Sequence, residues 1–389
     1  MILYFFLFLI LVFTFLSFLK PSGFDIMGFS SINTFFNYSR IVCAIVIVCL
    51  YARNHERNKL LHYFLLYFLY CCVSTYLGGY GDTNKIFIFS GSSIAFAMIF
   101  YILKKEYFKL AIQALLSVYM VLIVFSFFWL YKYVGFVINI EEHFSEEELQ
   151  FAYFLSSSNG SASYFIPAMT MAVLNLYISG KRNLLSWITI FFTYCSGLII
   201  WSATSLVAET VLLLYALCVF FDKTYVIKRF LRPKILVILC LCISVGITFF
   251  KIQYLFEFII VDILHKDLTM TGRTTIWDNG FNAFFSSPIT GIGNINDIVR
   301  TCDNCYAQLL GDSGLIGFFI FTSMMVFVYK SLTKSVNGEV VFLFLITYAL
   351  LLLMFVAESW SQFFGLYVLL VLFSKADFIQ NYINSKTYE

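Results

Sequence analysis

The sequence is short of charge. Only 12% of its 389 residues are Asp, Glu, Lys or Arg, while 61% are hydrophobic and 20% aromatic. Water-facing surface needs more charge than this, so a soluble globular domain is excluded. The sequence also lacks the short alternating strands of an outer-membrane barrel, because its apolar runs are long and unalternating. The opening MILYFFLFLILVFTFLSFLK has neither a positive leading region nor a small-residue cleavage site, and it is too long for a signal-peptide core. It is expected to be a first membrane span. Histidine is scarce and dispersed (His55, His62, His143 and His265), and no Asp-x-Asp pair stands in a loop, so no metal site is expected. Eight of the ten cysteines lie in or beside apolar runs, where a thiol behaves as a small hydrophobe, and they imply no disulfide framework.

What is present is one apolar segment after another. The expectation is an all-α polytopic membrane protein of about twelve transmembrane helices, at roughly 2–19, 33–52, 60–78, 86–103, 109–131, 151–179, 184–201, 205–221, 235–251, 306–329, 340–356 and 360–374. Threading them alternately gathers the basic residues on one side, from Arg53, Lys104 and Lys181 to Arg229, Lys234 and Lys330. The positive-inside rule makes that side cytoplasmic, with both termini on it. The chain then divides into spans over 1–251, one long outer loop over 252–305, and the last three spans with a cytoplasmic tail over 306–389.

Polar residues inside apolar runs are functional candidates by default. Arg40 falls in the outer third of its span, with a snorkelling anchor as the alternative reading. The sixth span opens with LSSSNGSASYFIP, poor material for facing lipid, which suits either a watery cavity or packing through small residues. Glu209 lies inside the eighth span and Glu358 in the turn between the last two. A carboxylate in either place needs a partner or a proton, and Arg40, Arg273 and Arg300 are the candidates on the same side. Structural ion pairing is the alternative for each. Taken together, Arg40, Glu209, Arg273, Arg300, Asp312 and Glu358 all map to the outer half, as a cavity open to the outer leaflet would require.

The outer loop has two parts. Residues 252–270 mix apolar and charged positions at helical spacing, expected as a helix along the interface or over the cavity. TGRTTIWDNGFNAFF then reads as an amphipathic helix with Thr271 as its cap, and SSPITGIG as a turn broken by Pro288, Gly291 and Gly293. The glycines Gly311, Gly314 and Gly317 recur on neighbouring helix faces and would admit close helix approach. Cys302 and Cys305 form a Cys-x-x-Cys at a helix start, without the βαβ context of a redox motif.

The run Gly272-Arg273 with Trp277, then P-I-x-G-I-G over 288–293, then Asn304-x-Tyr306 leading into L-x-x-x-G-L-I-G over 310–317, resembles the O-antigen polymerase and ligase family of bacterial polysaccharide assembly. Arg300, separated by ten residues from Gly311, is similar to an arginine–glycine spacing of polymerases. The resemblance implies a periplasmic outer loop and an inner-membrane glycosyltransferase. Its substrates would be undecaprenyl-diphosphate-linked oligosaccharides, with no cofactor, no metal and no nucleic-acid partner. A chain-length regulator is left open as a partner. Arg273 matches the family's loop arginine, Pro288, Gly291 and Gly293 its turn, Asn304 its asparagine, and Asp312 its acidic residue before Gly314 and Gly317. Two departures stand out. Asp303 occupies the place of the ligase histidine, which favours a polymerase over a ligase. No arginine follows the serines near the start of the eighth span.

The chemistry fits these residue types. A leaving diphosphate needs positive charge, and guanidinium groups bind phosphate oxygens through paired hydrogen bonds, so Arg273 and Arg300, with Arg40 behind them, are the expected diphosphate ligands. An attacking sugar hydroxyl needs a base, for which Asp303 is the first candidate and Glu209, Asp312 and Glu358 the alternatives. A lipid-linked oligosaccharide flippase is the rival of another class. It should show repeated halves and polar residues at the midplane, whereas here they gather toward one side.

Overall fold

The fold is given by a computed structural model describing residues 2–21, 23–26, 29–54, 58–78, 91–133, 136–138, 150–152, 154–155, 160–200, 202–258, 273–293, 302, 304–335, 338–357 and 364–386. Its helices are α1 (Ile2–Phe18), α2 (Gly23–Ile26), α3 (Ser30–Asn54), α4 (Lys59–Gly78), α5 (Ser92–Ile102), α6 (Phe108–Tyr133), α7 (Ala162–Ser179), α8 (Leu184–Ile200), α9 (Ala203–Phe220), α10 (Thr224–Phe230), α11 (Pro233–Phe250), α12 (Arg273–Ser286), α13 (Cys305–Lys334), α14 (Glu339–Met354), α15 (Phe364–Ser374) and α16 (Ala376–Lys386).

Among the described residues six helices are long and apolar enough to cross a membrane, or seven if the bent pair formed by α15 and α16 counts as one. Five shorter apolar helices lie among them. Apolar helices occupy at least part of each segment expected to span, and the protein is a helical, membrane-embedded bundle. α7 and α14 are buried on nearly every face and form its centre, flanked by α15. α3 lies at the periphery and exposes Val42, Ile45, Val46 and Leu50, an apolar surface that needs lipid rather than water.

The structure departs from the expected layout in three places. The segment 151–179 is not one span, because α7 begins only at Ala162. Residues 150–152 instead form a short strand β2 (Gln150–Ala152) antiparallel to β1 (Phe136–Ile138), a small exception to an all-α chain. Small polar residues compete with a helix for its backbone hydrogen bonds. Ser163, in the first turn of α7, donates its hydroxyl to the Gly160 carbonyl at 2.6 Å. The second departure is α16, where a cytoplasmic tail is expected. It bends 68° from α15 and buries Ala376, Ile379, Gln380 and Tyr382. The third, inside α13, is described with the site below.

The two ends of the bundle differ. At one end Lys228 pairs with Glu339 at 2.5 Å, Tyr177 donates to the same carboxylate, and Lys181 pairs with Asp222. Gln380 on α16 accepts from the Val340 N–H at the start of α14, and Lys375 donates to the Phe100 carbonyl at the end of α5. At the opposite end α14 finishes beside the start of α13, where the Cys305 N–H bonds the Phe355 carbonyl at 2.8 Å.

Candidate functional site

The candidate site is built on a break in α13. Gly314 has φ 58° and ψ −164°, a backbone conformation that interrupts the helix and that side chains other than glycine's hydrogen strongly disfavour. α13 is therefore two helices, a short one over 305–313 and a long one over 315–334, rather than one straight span. A break in an apolar helix frees carbonyls and N–H groups that lipid cannot satisfy. The turn following α12 satisfies them. Ile292 and Gly293 donate their N–H groups to the carbonyls of Gly311 and Asp312, each at 3.0 Å. In return the Leu315 N–H bonds the Pro288 carbonyl at 2.9 Å and the Ile316 N–H bonds the Ile289 carbonyl at 3.3 Å.

Helix α4 completes the joint. Ser74 donates its hydroxyl to the carbonyls of Thr290 (2.7 Å) and Asp312 (2.8 Å), and the Tyr70 hydroxyl reaches the Ser313 carbonyl at 3.0 Å. The glycines of the P-I-x-G-I-G run have distinct reasons to be there. Gly291 (φ 76°) presses against the Asp312 carbonyl, and Gly293 (φ 102°) against the backbone of Thr75. Across the joint, a side chain on Gly314 would come within 2.5 Å of the Ile289 carbonyl. Gly317 faces the Tyr70 ring, which is helix approach of the expected kind; Gly314 serves the break instead.

Asn304 fixes the start of α13. Its side-chain oxygen accepts from the N–H groups of Tyr306 (3.0 Å) and Ala307 (3.1 Å), and its amide donates to Thr248 and to the Val356 carbonyl. Cys302 and Cys305 are buried beside it.

Two candidate carboxyls are buried among apolar side chains. Asp312, 4% exposed, sits on the last turn before the break with Gln308 as its hydrogen-bonding side-chain neighbour. Glu209, wholly buried, takes a 2.5 Å hydrogen bond from Ser205 and packs against Gly197 of α8. One oxygen of each, Oδ1 of Asp312 and Oε2 of Glu209, has no hydrogen-bond partner among the described residues, nor has Oε1 of Gln308. Arg40, 3% exposed, points inward and donates from Nε to the Ser17 carbonyl at 3.3 Å, which is not the lipid-facing pose of a snorkelling anchor.

Arg40, Glu209 and Asp312 stand on different helix pairs. Glu209 is held by Ser205, and the described contact of Arg40 is a carbonyl of α1. The backbone of Arg273 opens α12, whereas its side chain lies outside the described residues. Arg300, Asp303 and Glu358 fall outside them too, as do Thr271 and residues 156–159 of the serine-rich stretch. Gln308 was missed in the sequence. Its signal was available, since it stands four residues before Asp312 and so shares its helix face. The chain matches no protein-family model and no curated protein.

Proposed function

We propose that this chain is a glycosyltransferase of the bacterial inner membrane, an O-antigen polymerase that joins undecaprenyl-diphosphate-linked oligosaccharide repeat units on the periplasmic face. In this reading about twelve helices cross the bilayer, both termini are cytoplasmic, and the segment 252–305 is periplasmic. The observation that carries it is the joint between the 288–293 turn and the broken α13. Motif residues by which the chain resembles the polymerase and ligase family, far apart in sequence, meet there around buried Asp312 with an oxygen left open.

The chemistry proceeds as follows. Arg273, with Arg300 and Arg40 as the further candidates, holds the diphosphate of the donor lipid. A hydroxyl of the acceptor sugar gives its proton to a carboxylate, Asp312 being the described candidate at the joint. The hydroxyl oxygen bonds the anomeric carbon of the donor. The bond from that carbon to the diphosphate oxygen breaks, and its electron pair leaves with the lipid diphosphate.

The deciding experiment is the gel pattern of surface lipopolysaccharide from a deletion strain. A lost polymerase leaves lipopolysaccharide carrying one repeat unit. Lipopolysaccharide with no repeat points instead to a ligase or flippase, and an unchanged ladder removes the reading.

A further inference from the structure

The joint spends its hydrogen bonds unevenly. The backbone groups at the break that neighbour Asp312 are served by the turn and by α4: the carbonyls of Gly311, Asp312 and Ser313, and the N–H groups of Leu315 and Ile316. The side chains of Gln308 and Asp312, on the same two turns, take no part in that mending. They lie one above the other at i and i+4, are each 4% exposed, and keep Gln308 Oε1 and Asp312 Oδ1 without a donor among the described residues. Leaving a buried acceptor unmet is costly, more so for a charged group. Apolar side chains of the same size would fill these positions at no such cost. Adjacent acceptors ask for adjacent donors. A phosphate, itself rich in acceptor oxygens, is the wrong partner, whereas a sugar ring carrying hydroxyls on neighbouring carbons supplies what is missing.

We propose that Gln308 and Asp312 form a two-point site for adjacent hydroxyls of the acceptor sugar, Gln308 holding the ring while Asp312 receives the attacking hydroxyl. This rests on the glycosyltransferase reading above and adds to it the residue that positions the acceptor.

The test complements a deletion strain with Gln308→Leu and Gln308→Met, both close to glutamine in size. Each variant is followed by immunoblot of membranes and by lipopolysaccharide gel. Purified full-length protein is then assayed for the rate of joining lipid-linked repeat units isolated from the deletion strain. The expected result is wild-type abundance, a ladder shortened toward one repeat, and about a tenfold rise in the half-saturating concentration of the repeat unit for loss of one hydrogen bond, with the saturating rate within about twofold of wild type. If the deletion shortens the ladder but both variants polymerise normally at unchanged half-saturation, this proposal falls and the polymerase reading stands. Loss of both variants from the membrane makes Gln308 a packing residue and also overturns it. An unchanged ladder in the deletion strain removes the polymerase reading and this site together.

Discussion

Residues of one type do different jobs within a short stretch here. Gly291 and Gly293 have positive φ and lie against backbone, Gly314 breaks a helix, and Gly317 makes room for an aromatic ring. The sequence marked the first two as turn residues because Pro288 precedes them. It marked Gly314 only as a small residue for close helix approach, because the glycines at 311, 314 and 317 keep a helical spacing across the break. Asp312 was legible as a polar residue in an apolar run, and the structure adds that one of its oxygens is open. Arg40 was legible as a charge within a span; that it bonds the Ser17 carbonyl depends on a neighbouring helix, which no local pattern encodes. Arg273 makes the clearest residue-level prediction. As a diphosphate ligand, its replacement in Arg273→Ala should remove the long glycan chains from a lipopolysaccharide gel while the amount of protein in the membrane is unchanged. Wild-type chain lengths would take Arg273 out of the site.

At the scale of the element, α13 is the informative one. Its short first helix is fixed at one end by Asn304 and at the other by the 288–293 turn, so the segment carrying Gln308 and Asp312 is held at both ends. The long second helix, from Leu315 to Lys334, continues as an ordinary span. Forcing Gly314→Ala into this backbone should cost about 1–3 kcal/mol, since the conformation is nearly restricted to glycine and the added methyl meets the Ile289 carbonyl. The expected outcome is a lower unfolding temperature of detergent-extracted protein, with an equivalent change at Gly180, where an added methyl meets nothing, as the comparison for strain alone. Equal unfolding temperatures for Gly314→Ala and wild type would mean that the joint does not hold this end of the bundle. The C-terminal helix α16 escaped the sequence reading because its apolar positions, Ile379, Tyr382 and Ile383, are too few to register as a span. They suffice to seat a short helix against α14.

For the whole molecule, the helical segments were nearly all legible, because runs of apolar residues must bury their backbone hydrogen bonds in helices wherever lipid surrounds them. The packing order was not. α11 lies on α14, α6 on α8 and α4 on α13, pairings between elements that are not neighbours in the chain. The two ends carry the prediction that belongs at this scale. The end with Lys228, Glu339 and Lys181 is expected to face the cytoplasm and the end with the joint to face the exterior. A thiol reagent that cannot cross membranes should therefore label Arg273→Cys and not Arg229→Cys in intact cells, in a background where labelling of the native cysteines is subtracted. The reverse pattern would invert the topology.

The joint in α13 also sets an order for biosynthesis. Tyr70 and Ser313, which meet there, are 243 positions apart, so the ribosome has delivered most of the chain before the last partner emerges. Until then Tyr70, Ser74 and the 288–293 turn await their partners in α13, and their docking is a late locking event rather than part of span-by-span insertion. Pulse-labelled Ser74→Ala chains, deprived of two of the stitches, should take longer than wild type to become protease-resistant, even where the final yield is similar. Equal maturation times would place the closure earlier.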